Sequence, residues 1–101
     1  MERDISFNLI TETTTKDANA QSIVTKKSVS CIGRETSTYQ NEFFQASQAG
    51  MRPQGVIKMN LAEYGGQKLL SINGQEYSIY RTFTPDLDWI ELYFGERVGN
   101  G

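Results

Sequence analysis

The chain has 101 residues, of which 38% are hydrophobic and 22% are charged, and its formal net charge is −2. A chain of this length forms one domain, residues 1–101, with one modest core, and the slightly acidic balance disfavours a general nucleic-acid binder, which usually carries a clearly basic face. Because Cys31 is the only cysteine and histidine is absent, an internal disulfide, a multi-cysteine zinc site and an imidazole general base are excluded.

The amino-terminal stretch MERDISFNLI lacks the basic-then-apolar layout of a signal peptide, and no apolar run approaches the length of a membrane span. We therefore expect no membrane partner and a protein that is made and kept in a reducing cytoplasm. The charge is uneven, because a mildly basic stretch over residues 22–58 is followed by an acidic carboxyl-terminal part. Ordinary solvated surface is the simplest explanation of that unevenness.

Two strands are predicted at the start of the chain. Ile5–Thr14 alternates Ile5, Phe7 and Leu9 with mostly polar neighbours, which is typical of a half-buried strand. The polar stretch KDANAQ predicts a turn. Ser22–Gly33 is rich in β-branched residues and predicts a second strand, bent where lysines interrupt the alternation.

The next segment, STYQNEFFQASQAGMRP, predicts a short helix or a helical loop. Ser37 and Gln40 have the spacing of a capping box, in which each side chain satisfies a free amide at the start of a helix. Gly50 is placed to end the helix, and Pro53 blocks its continuation.

Strand patterns return from Gly55 onward. VIKMNLAEY leads to a glycine turn, and KLLSI leads to Asn73–Gly74, a strong hairpin signal because both residues tolerate positive φ. QEYSIYRTF and WIELYF then flank the five-residue connection TPDLD. The order β-β-α-β-β-β-β predicts a mainly β fold: a small antiparallel β-barrel, or a sandwich, with one short helix or helical loop between strands 2 and 3.

The charges in the last hairpin have two interpretations. Folding the hairpin symmetrically about Asp86 places Arg81 opposite Glu91, a pair that fixes strand register, and leaves Asp86 and Asp88 to the turn. The alternative makes Glu91 or Asp88 a general acid and Arg81 an anion holder. Nothing else in the sequence completes such a site, so we expect no enzymatic activity, no catalytic residue, no metal site and no cofactor.

The same register divides the apolar residues of the last strands between two faces. One face collects Leu70, Ile72, Tyr77, Ile79, Phe83, Trp89 and Tyr93, and the other collects Leu69, Tyr80, Ile90, Leu92 and Phe94. Only one face can line a barrel of this size, and the other needs cover. Either the short helix or neighbouring copies of the chain supply it. Tyr77, Trp89 and Tyr93 are the candidate assembly surface.

Three segments, EFFQASQAGMRPQ, NGQEYSIYRTF and DWIELYFGERVG, resemble the head closure proteins of tailed bacteriophages, also called head–tail joining or stopper proteins. Order and spacing agree from about Arg34 onward, whereas the amino-terminal strands agree in type only. The matching positions are Phe43, Phe44, Ala46, Gln48, Ala49, Gly50 and Pro53 in the first segment, Tyr77, Ile79, Tyr80, Arg81, Thr82 and loosely Phe83 in the second, and Ile90, Glu91, Leu92, Tyr93, Glu96, Arg97 and Gly99 in the third.

The resemblance implies a small β-barrel in the virion neck that assembles as a ring, typically of twelve copies, beneath the portal and its adaptor. Such a ring closes the DNA channel after packaging and offers a docking surface to tail proteins, and DNA is only its cargo. The family is not enzymatic and uses no cofactor. In the family a segment after the second strand plugs the channel, and by position this is residues 35–53. The candidate plug or subunit-contact residues are Tyr39, Phe43, Phe44, Gln48 and Arg52.

Other interpretations remain open at the level of the sequence. In one of them, Phe43 and Phe44 pack on the barrel instead of facing the channel. In another, the chain is a different neck component, such as a tail completion or tail terminator protein. An OB-like barrel that binds nucleic acid through the basic stretch Lys26–Lys58 and exposed aromatic residues is the rival from another class, and a small hydrolase is a third.

Overall fold

The computed structural model describes residues 3–36, 46–48 and 50–97. Its strands are β1 (Arg3–Lys16), β2 (Ser22–Thr36), β3 (Met51–Asn60), β4 (Leu69–Ile72), β5 (Gln75–Phe83) and β6 (Trp89–Arg97). All neighbouring strands pair antiparallel in the cyclic order β1-β2-β3-β6-β5-β4, so the sheet closes on itself. Residues 46–48 are helical and lie between β2 and β3. The predicted mainly β barrel with a short helix at this place is confirmed.

Alternation along the strands builds the interior of the barrel, because successive side chains of a strand point to opposite sides of the sheet. Phe7 and Leu9 of β1 are buried and Ile5 packs against them, as their spacing predicts. Leu92 of β6 is fully buried at the centre. The remaining members of the core cluster are Cys31, Ile57, Met59, Leu70, Ile90 and Phe94.

The turns follow the local signals of the sequence. Asn73 and Gly74 have φ values of 52° and 83°, as a tight hairpin requires. Gly50 has a φ of 73°, and its amide donates a hydrogen bond to the Ser47 carbonyl at 3.0 Å, so the helical turn ends at the predicted glycine. The predicted capping residues Ser37 and Gln40 lie outside the described residues. Pro53, expected only to stop the helix, lies near the start of β3, where the register shifts.

The register predicted for the β5–β6 hairpin is wrong by two residues at Arg81 and Phe83 and by one residue at Ile79, which pairs with Phe94 instead of Tyr93. Arg81 pairs with Tyr93, and Phe83 pairs with Glu91, so the predicted opposition of Arg81 and Glu91 does not occur. The connection is wider than the symmetric hairpin assumed, because Phe83 and Glu91 enclose residues 84–90. The first residue of β6, Trp89, instead pairs with β3.

A β-bulge in β5 then decides which residues share a face. The pairing of β5 with β6 shifts between Ile79 and Arg81. Before the bulge Tyr77 and Ile79 pack against the core, and the ring centroid of Tyr77 lies 5.3 Å from that of Phe94. The predicted single face is therefore wrong: Leu70, Ile72, Tyr77 and Ile79 join Ile90, Leu92 and Phe94 around the core, whereas Phe83, Trp89 and Tyr93 lie outside it.

The β1–β2 hairpin extends beyond the barrel as an arm, which we define as residues 11–28. The two strands pair without interruption from Arg3 opposite Glu35 to Lys16 opposite Ser22. Beyond Ile10, however, every strand residue of the arm is exposed. Six residues of β1 in this part give a projection of about 20 Å. The sequence predicts both strands but not that their far halves leave the barrel.

Candidate assembly surface

The outer face of β2, β3, β6 and β5 collects charged and aromatic residues in rows, because residues paired directly across neighbouring strands point to the same side of the sheet. One row contains Arg34, Lys58, Glu91 and Phe83. The next row contains Thr36, Val56, Tyr93 and Arg81. Both rows lie outside the barrel core and cross four of its six strands.

Tyr93 links the two charged residues that the sequence placed opposite each other. The guanidinium carbon of Arg81 lies 3.8 Å from the centroid of the Tyr93 ring. The hydroxyl of Tyr93 donates a hydrogen bond to Oε1 of Glu91 at 2.8 Å. A cation over an aromatic ring contributes about 0.5–1 kcal/mol at an exposed site, so this contact helps to hold β5 against β6.

Part of the outer face is covered by the chain itself. Val56 and Tyr93 are paired neighbours, and both are buried although neither belongs to the core cluster. Ala46, in the helical turn that precedes β3, is also fully buried. One of the two predicted sources of cover, the short helical segment within the chain, is therefore consistent with the burial of this part of the face.

Beside this covered area lies an exposed apolar group that we name the turn patch: Phe83, Leu87 and Trp89. Their side chains are 52%, 92% and 41% exposed. The Lys58 ammonium lies 5.6 Å from the centroid of the Trp89 ring. Apolar side chains grouped on the surface of a small protein often mark a contact site, so the turn patch is the strongest candidate on this side of the barrel.

The turn patch has a fixed shape because its connection is held by backbone contacts. The Asp86 carboxylate accepts hydrogen bonds from the amides of Asp88 and Trp89 at 2.8 and 3.0 Å. The amide of Leu61, at the start of the 3-10 turn Leu61–Glu63, donates to the carbonyl of Asp88 at 2.9 Å. The predicted turn role of Asp86 is confirmed by these contacts. They hold the backbone on both sides of Leu87.

A groove of about 410 Å³ lies next to Trp89, at the end of the paired part of β2 and β3. Its lining consists of Asp4, Ile32, Gly33, Arg34, Lys58 and Trp89. Ile32 is 73% exposed, and Arg34 Nε lies 3.5 Å from Asp4 Oδ1. At Gly33 the strands approach closely, because an added Cβ would lie 2.7 Å from Cγ2 of Ile57 and 2.8 Å from the carbonyl oxygen of Lys58.

The structure does not bring the three predicted assembly residues to one surface. Trp89 is exposed in the turn patch, but Tyr77 packs against the core and Tyr93 is 8% exposed. The prediction failed for Tyr77 because the bulge in β5 places Tyr77 and Phe83 on opposite faces of the sheet. Leu87, the most exposed apolar side chain of this region, carried no periodic signal because it lies in a turn.

The predicted plug residues are only partly described. Tyr39, Phe43 and Phe44 lie outside the described residues. Gln48 is exposed in the helical turn, and Arg52 is exposed on β3 opposite Glu96. Neither position tests the plug prediction, which stays a prediction.

The arm and its base carry further exposed apolar side chains that the sequence reasoning missed. Ile23 and Val24 in the arm are 45% and 57% exposed, and Val29 at its base is 54% exposed. One signal was present in the sequence: after Ile10 the first strand continues as TETTTK, which has strong β propensity and no apolar residue to bury.

The Cys31 thiol and the Tyr64 hydroxyl have shifted pKa values. Burial raises the pKa of the Cys31 thiol, the negative charge of Glu63 raises it further, and a backbone hydrogen bond at Leu9 lowers it. Burial also raises the pKa of Tyr64, whose hydroxyl donates to the Gln67 carbonyl at 2.6 Å. Across residues 3–36, 46–48 and 50–97, no three His, Cys, Asp or Glu side chains are grouped so that they could hold a metal ion.

Comparison with known proteins neither supports nor contradicts the resemblance to head closure proteins. A scan against protein-family models and a search of curated proteins each found no match for this chain. The likeness to head closure proteins is therefore carried by the three sequence segments alone. No helix in the described part of the chain has the length and apolar character to cross a bilayer.

Proposed function

We propose that this protein is a structural connector of the neck of a tailed bacteriophage, similar to head closure proteins. In this proposal it forms a ring below the portal and adaptor, closes the DNA channel after packaging and provides a docking surface for the tail. The observation that supports it best is the turn patch. Two of the three resembling segments form β5 and β6, and their connection exposes Phe83, Leu87 and Trp89.

The physical argument concerns apolar surface that one copy leaves in water. Phe83, Leu87 and Trp89 remain exposed although the rest of β6 is mostly buried. A ring repeats one heterologous contact around an axis, and each copy then makes two such contacts, so a weak interface is reinforced by closure. Burying apolar surface contributes roughly 25 cal/mol per Å², so contact of the turn patch with a neighbouring copy would be favourable.

The charged row next to the patch adds selectivity. Arg34 and Lys58 on β2 and β3 lie in the same row as Glu91, and Asp86 and Asp88 lie in the connection beside Leu87. Complementary charges at the rim of an interface mainly set its register and its rate of formation. An apolar patch with both signs of charge around it suits contact between copies and with another protein of the neck.

The channel-closing role is assigned to the segment between β2 and β3, as the resemblance implies. Thr36, directly before that segment, pairs with Val56 of β3, and Ala46 within the segment is fully buried. Closing a channel requires bulk, which Tyr39, Phe43 and Phe44 would supply.

The proposal is tested by electron microscopy of phage particles produced without this protein. We expect heads that package DNA but lose it, and no attached tails. Particles that keep both their DNA and their tails would contradict the proposal. Failure to package DNA at all would also contradict it, because the proposed role begins after packaging.

Complementation with surface variants sharpens the test. Phe83→Asp combined with Leu87→Asp places charge on side chains that are already exposed, so the barrel should fold normally and tail attachment should be lost. Gln75→Asp, at an exposed position at the start of β5, is the matched control and should restore infectious particles. Equal restoration by both variants would remove the turn patch from the argument.

A second candidate function is favoured by the groove beside Trp89. Arg34 and Lys58 line it, and the Lys58 ammonium lies near the Trp89 ring, an arrangement that suits a stacked base and its phosphate. This candidate predicts binding to single-stranded nucleic acid that weakens steeply with salt. Filter binding at low salt should detect it, and Trp89→Ala should abolish it while Leu87→Ala leaves it unchanged. Absence of binding at low salt eliminates this candidate.

A further inference from the structure

We propose that the arm is the element through which copies of this chain pair with one another. The free edge of β1 in one arm, Thr11–Lys16, adds antiparallel to the free edge of β2 in a second copy, Ser22–Lys27. The inference deepens the proposed ring, on which it rests for the closed symmetry, by naming the contact that joins neighbouring copies. The edge pairing itself needs only a second copy of the chain.

Neither edge has a paired strand within the arm among the described residues. β1 pairs with β4 only over Asn8–Ile10, and β2 pairs with β3 only over Arg34–Thr36. Within the arm, therefore, each strand has a paired neighbour on one side alone. Along an antiparallel strand, alternate N–H and C=O groups point to the side that is not paired. Such a row is a template for one further strand.

The arm has the sequence of a sheet but the surroundings of an isolated hairpin. A two-stranded hairpin is at best marginally stable in water, and a third strand or a packed face is usually needed. Thr13, Thr14 and Thr15 favour a strand strongly, yet none of them is buried. Ile23 and Val24 are also left exposed. A third strand would satisfy the open backbone groups and cover part of this apolar surface.

The charges of the arm select which edge can approach. β2 carries Lys26 and Lys27, and lysine on an edge strand normally opposes pairing with another chain. Two β2 edges would bring these lysines together, and like charges facing across strands are destabilising. The β1 edge instead carries Glu12, whose Oε2 already lies 3.7 Å from Nζ of Lys26 in the same copy. A second Glu12, arriving at the same level, would extend this row with the opposite charge.

The symmetry of the contact is consistent with a ring. A rotation about an axis parallel to the arm brings β1 of one copy beside β2 of the next, and the two strands then run antiparallel. After one such contact, the joined pair of arms still has a free β1 edge on one side and a free β2 edge on the other. The contact is therefore heterologous and can repeat around the axis. Because the edges lie on opposite sides of one ribbon, each arm can pair with two neighbours at once.

The arm is held in shape before any contact. The Asp17 carboxylate accepts hydrogen bonds from the amides of Asn19 and Gln21, both at 2.9 Å, and fixes the turn at the tip. Near the base, Nζ of Lys26 lies 3.4 Å from Oε2 of Glu76 on β5. An element that is already ordered loses less conformational entropy on binding, so these contacts favour pairing.

The experiment is cysteine cross-linking between two singly substituted full-length chains in a Cys31→Ala background. Thr13→Cys reports the β1 edge and Thr25→Cys reports the β2 edge, and both positions are exposed. Thr13 and Thr25 lie opposite each other within one copy, so they lie level between copies if the register is preserved. Directly paired strand residues have Cβ atoms about 4.5–5.5 Å apart, close to disulfide geometry. Thr11→Cys and Thr15→Cys replace Thr13→Cys to detect a shifted register.

The proposal expects a disulfide-linked dimer when the two variants are mixed and oxidised, and only traces when either is oxidised alone. Predominant dimer from Thr25→Cys alone would show β2–β2 pairing and overturn it. Absence of dimer from every mixture, at the highest concentration that stays soluble, would overturn it too. Rings that persist without cross-links would refute the arm contact but leave the proposed function standing. If the cross-links form but phage particles made without this protein keep their DNA and tails, the proposed function is refuted and the arm contact stands.

Discussion

The two halves of the β1–β2 hairpin differ in what lies beneath them. In the barrel half, Phe7 and Leu9 are 3% and 0% exposed, whereas no strand residue of the arm is buried. The backbone pairing is nevertheless continuous through both halves. Hydrogen-bonded pairing and membership of the core are therefore separate properties of one strand. Most of the stability should come from the barrel half, where apolar side chains leave water.

The largest expected effect that tests this contrast is a cavity in the barrel. Leu92→Ala removes a fully buried side chain from the core cluster and should lower the free energy of unfolding by about 2–5 kcal/mol. Urea denaturation followed by the fluorescence of Trp89, the only tryptophan, measures it. Val24→Ala in the arm is the control and should change stability by less than about 0.5 kcal/mol. Equal losses would remove the distinction between the halves.

The next effect concerns close backbone contact in the barrel wall. A Cβ at Gly95 would collide with the backbone carbonyl of Arg52 on β3, so Gly95→Ala should destabilise the fold by about 1–3 kcal/mol. Gly65→Ala is the control, because its added Cβ would meet only the Gln67 side chain at 3.5 Å. Thermal unfolding by circular dichroism compares the two. A variant at Gly95 as stable as the parent would mean that β3 and β6 separate easily.

A smaller effect is expected on the outer face of the barrel. Arg81→Met keeps an extended side chain over the ring of Tyr93 but removes the cation, and should cost about 0.5–1 kcal/mol. Arg97→Met, at the exposed end of β6, should have no measurable effect. Chemical denaturation of both variants at two salt concentrations gives the difference. If the two variants unfold alike, the contact with Tyr93 does not contribute to stability.

Thiol reactivity compares the two halves of β2 directly. Cys31 is 6% exposed and its pKa is raised from 9.0, so the native thiol should resist alkylation at neutral pH, whereas Thr25→Cys in the arm should react readily. A raised pKa in the folded state contributes stability that is complete below pH 9.0 and is lost as the pH rises through the folded value. Cys31→Ala should remove that part of the alkaline destabilisation. Rapid alkylation of native Cys31 would contradict its place in the core.

The smallest expected effect on barrel stability comes from removing the arm. Replacing residues 13–25 by Asn-Gly joins Glu12 to Lys26, which already lie opposite each other, through a turn suited to a two-residue hairpin. The unfolding free energy should change by less than about 0.5 kcal/mol, whereas association of copies should be lost. Sedimentation velocity measures the association. A shortened chain that still assembles would show that the turn patch is sufficient.

The candidate surface was predictable only where it depends on neighbouring residues. Asp86 caps its turn as the sequence predicts, and Trp89, one of the candidate assembly residues, is exposed. The prediction placed Tyr77 with Trp89, but Tyr77 packs on the core. The register was predicted from the pairing of β5 with β6 alone. In the structure, Trp89 pairs with Asn60 of β3 instead. The second neighbour of a strand has no local signal in the sequence.

The sequence by itself determined the order of the elements along the chain, the turn at Asn73–Gly74 and the glycine that ends the helical turn, because steric preferences and patterns of period two act over a few residues. Only the tertiary structure decided the bulge in β5, the faces that follow from it and the departure of the arm from the barrel. These features depend on pairing between strands that are distant in sequence: β1 with β4, and β3 with β6. Closure of the sheet determines where each strand leaves the barrel and loses its packing on the core. The residues of the strand itself do not indicate that position.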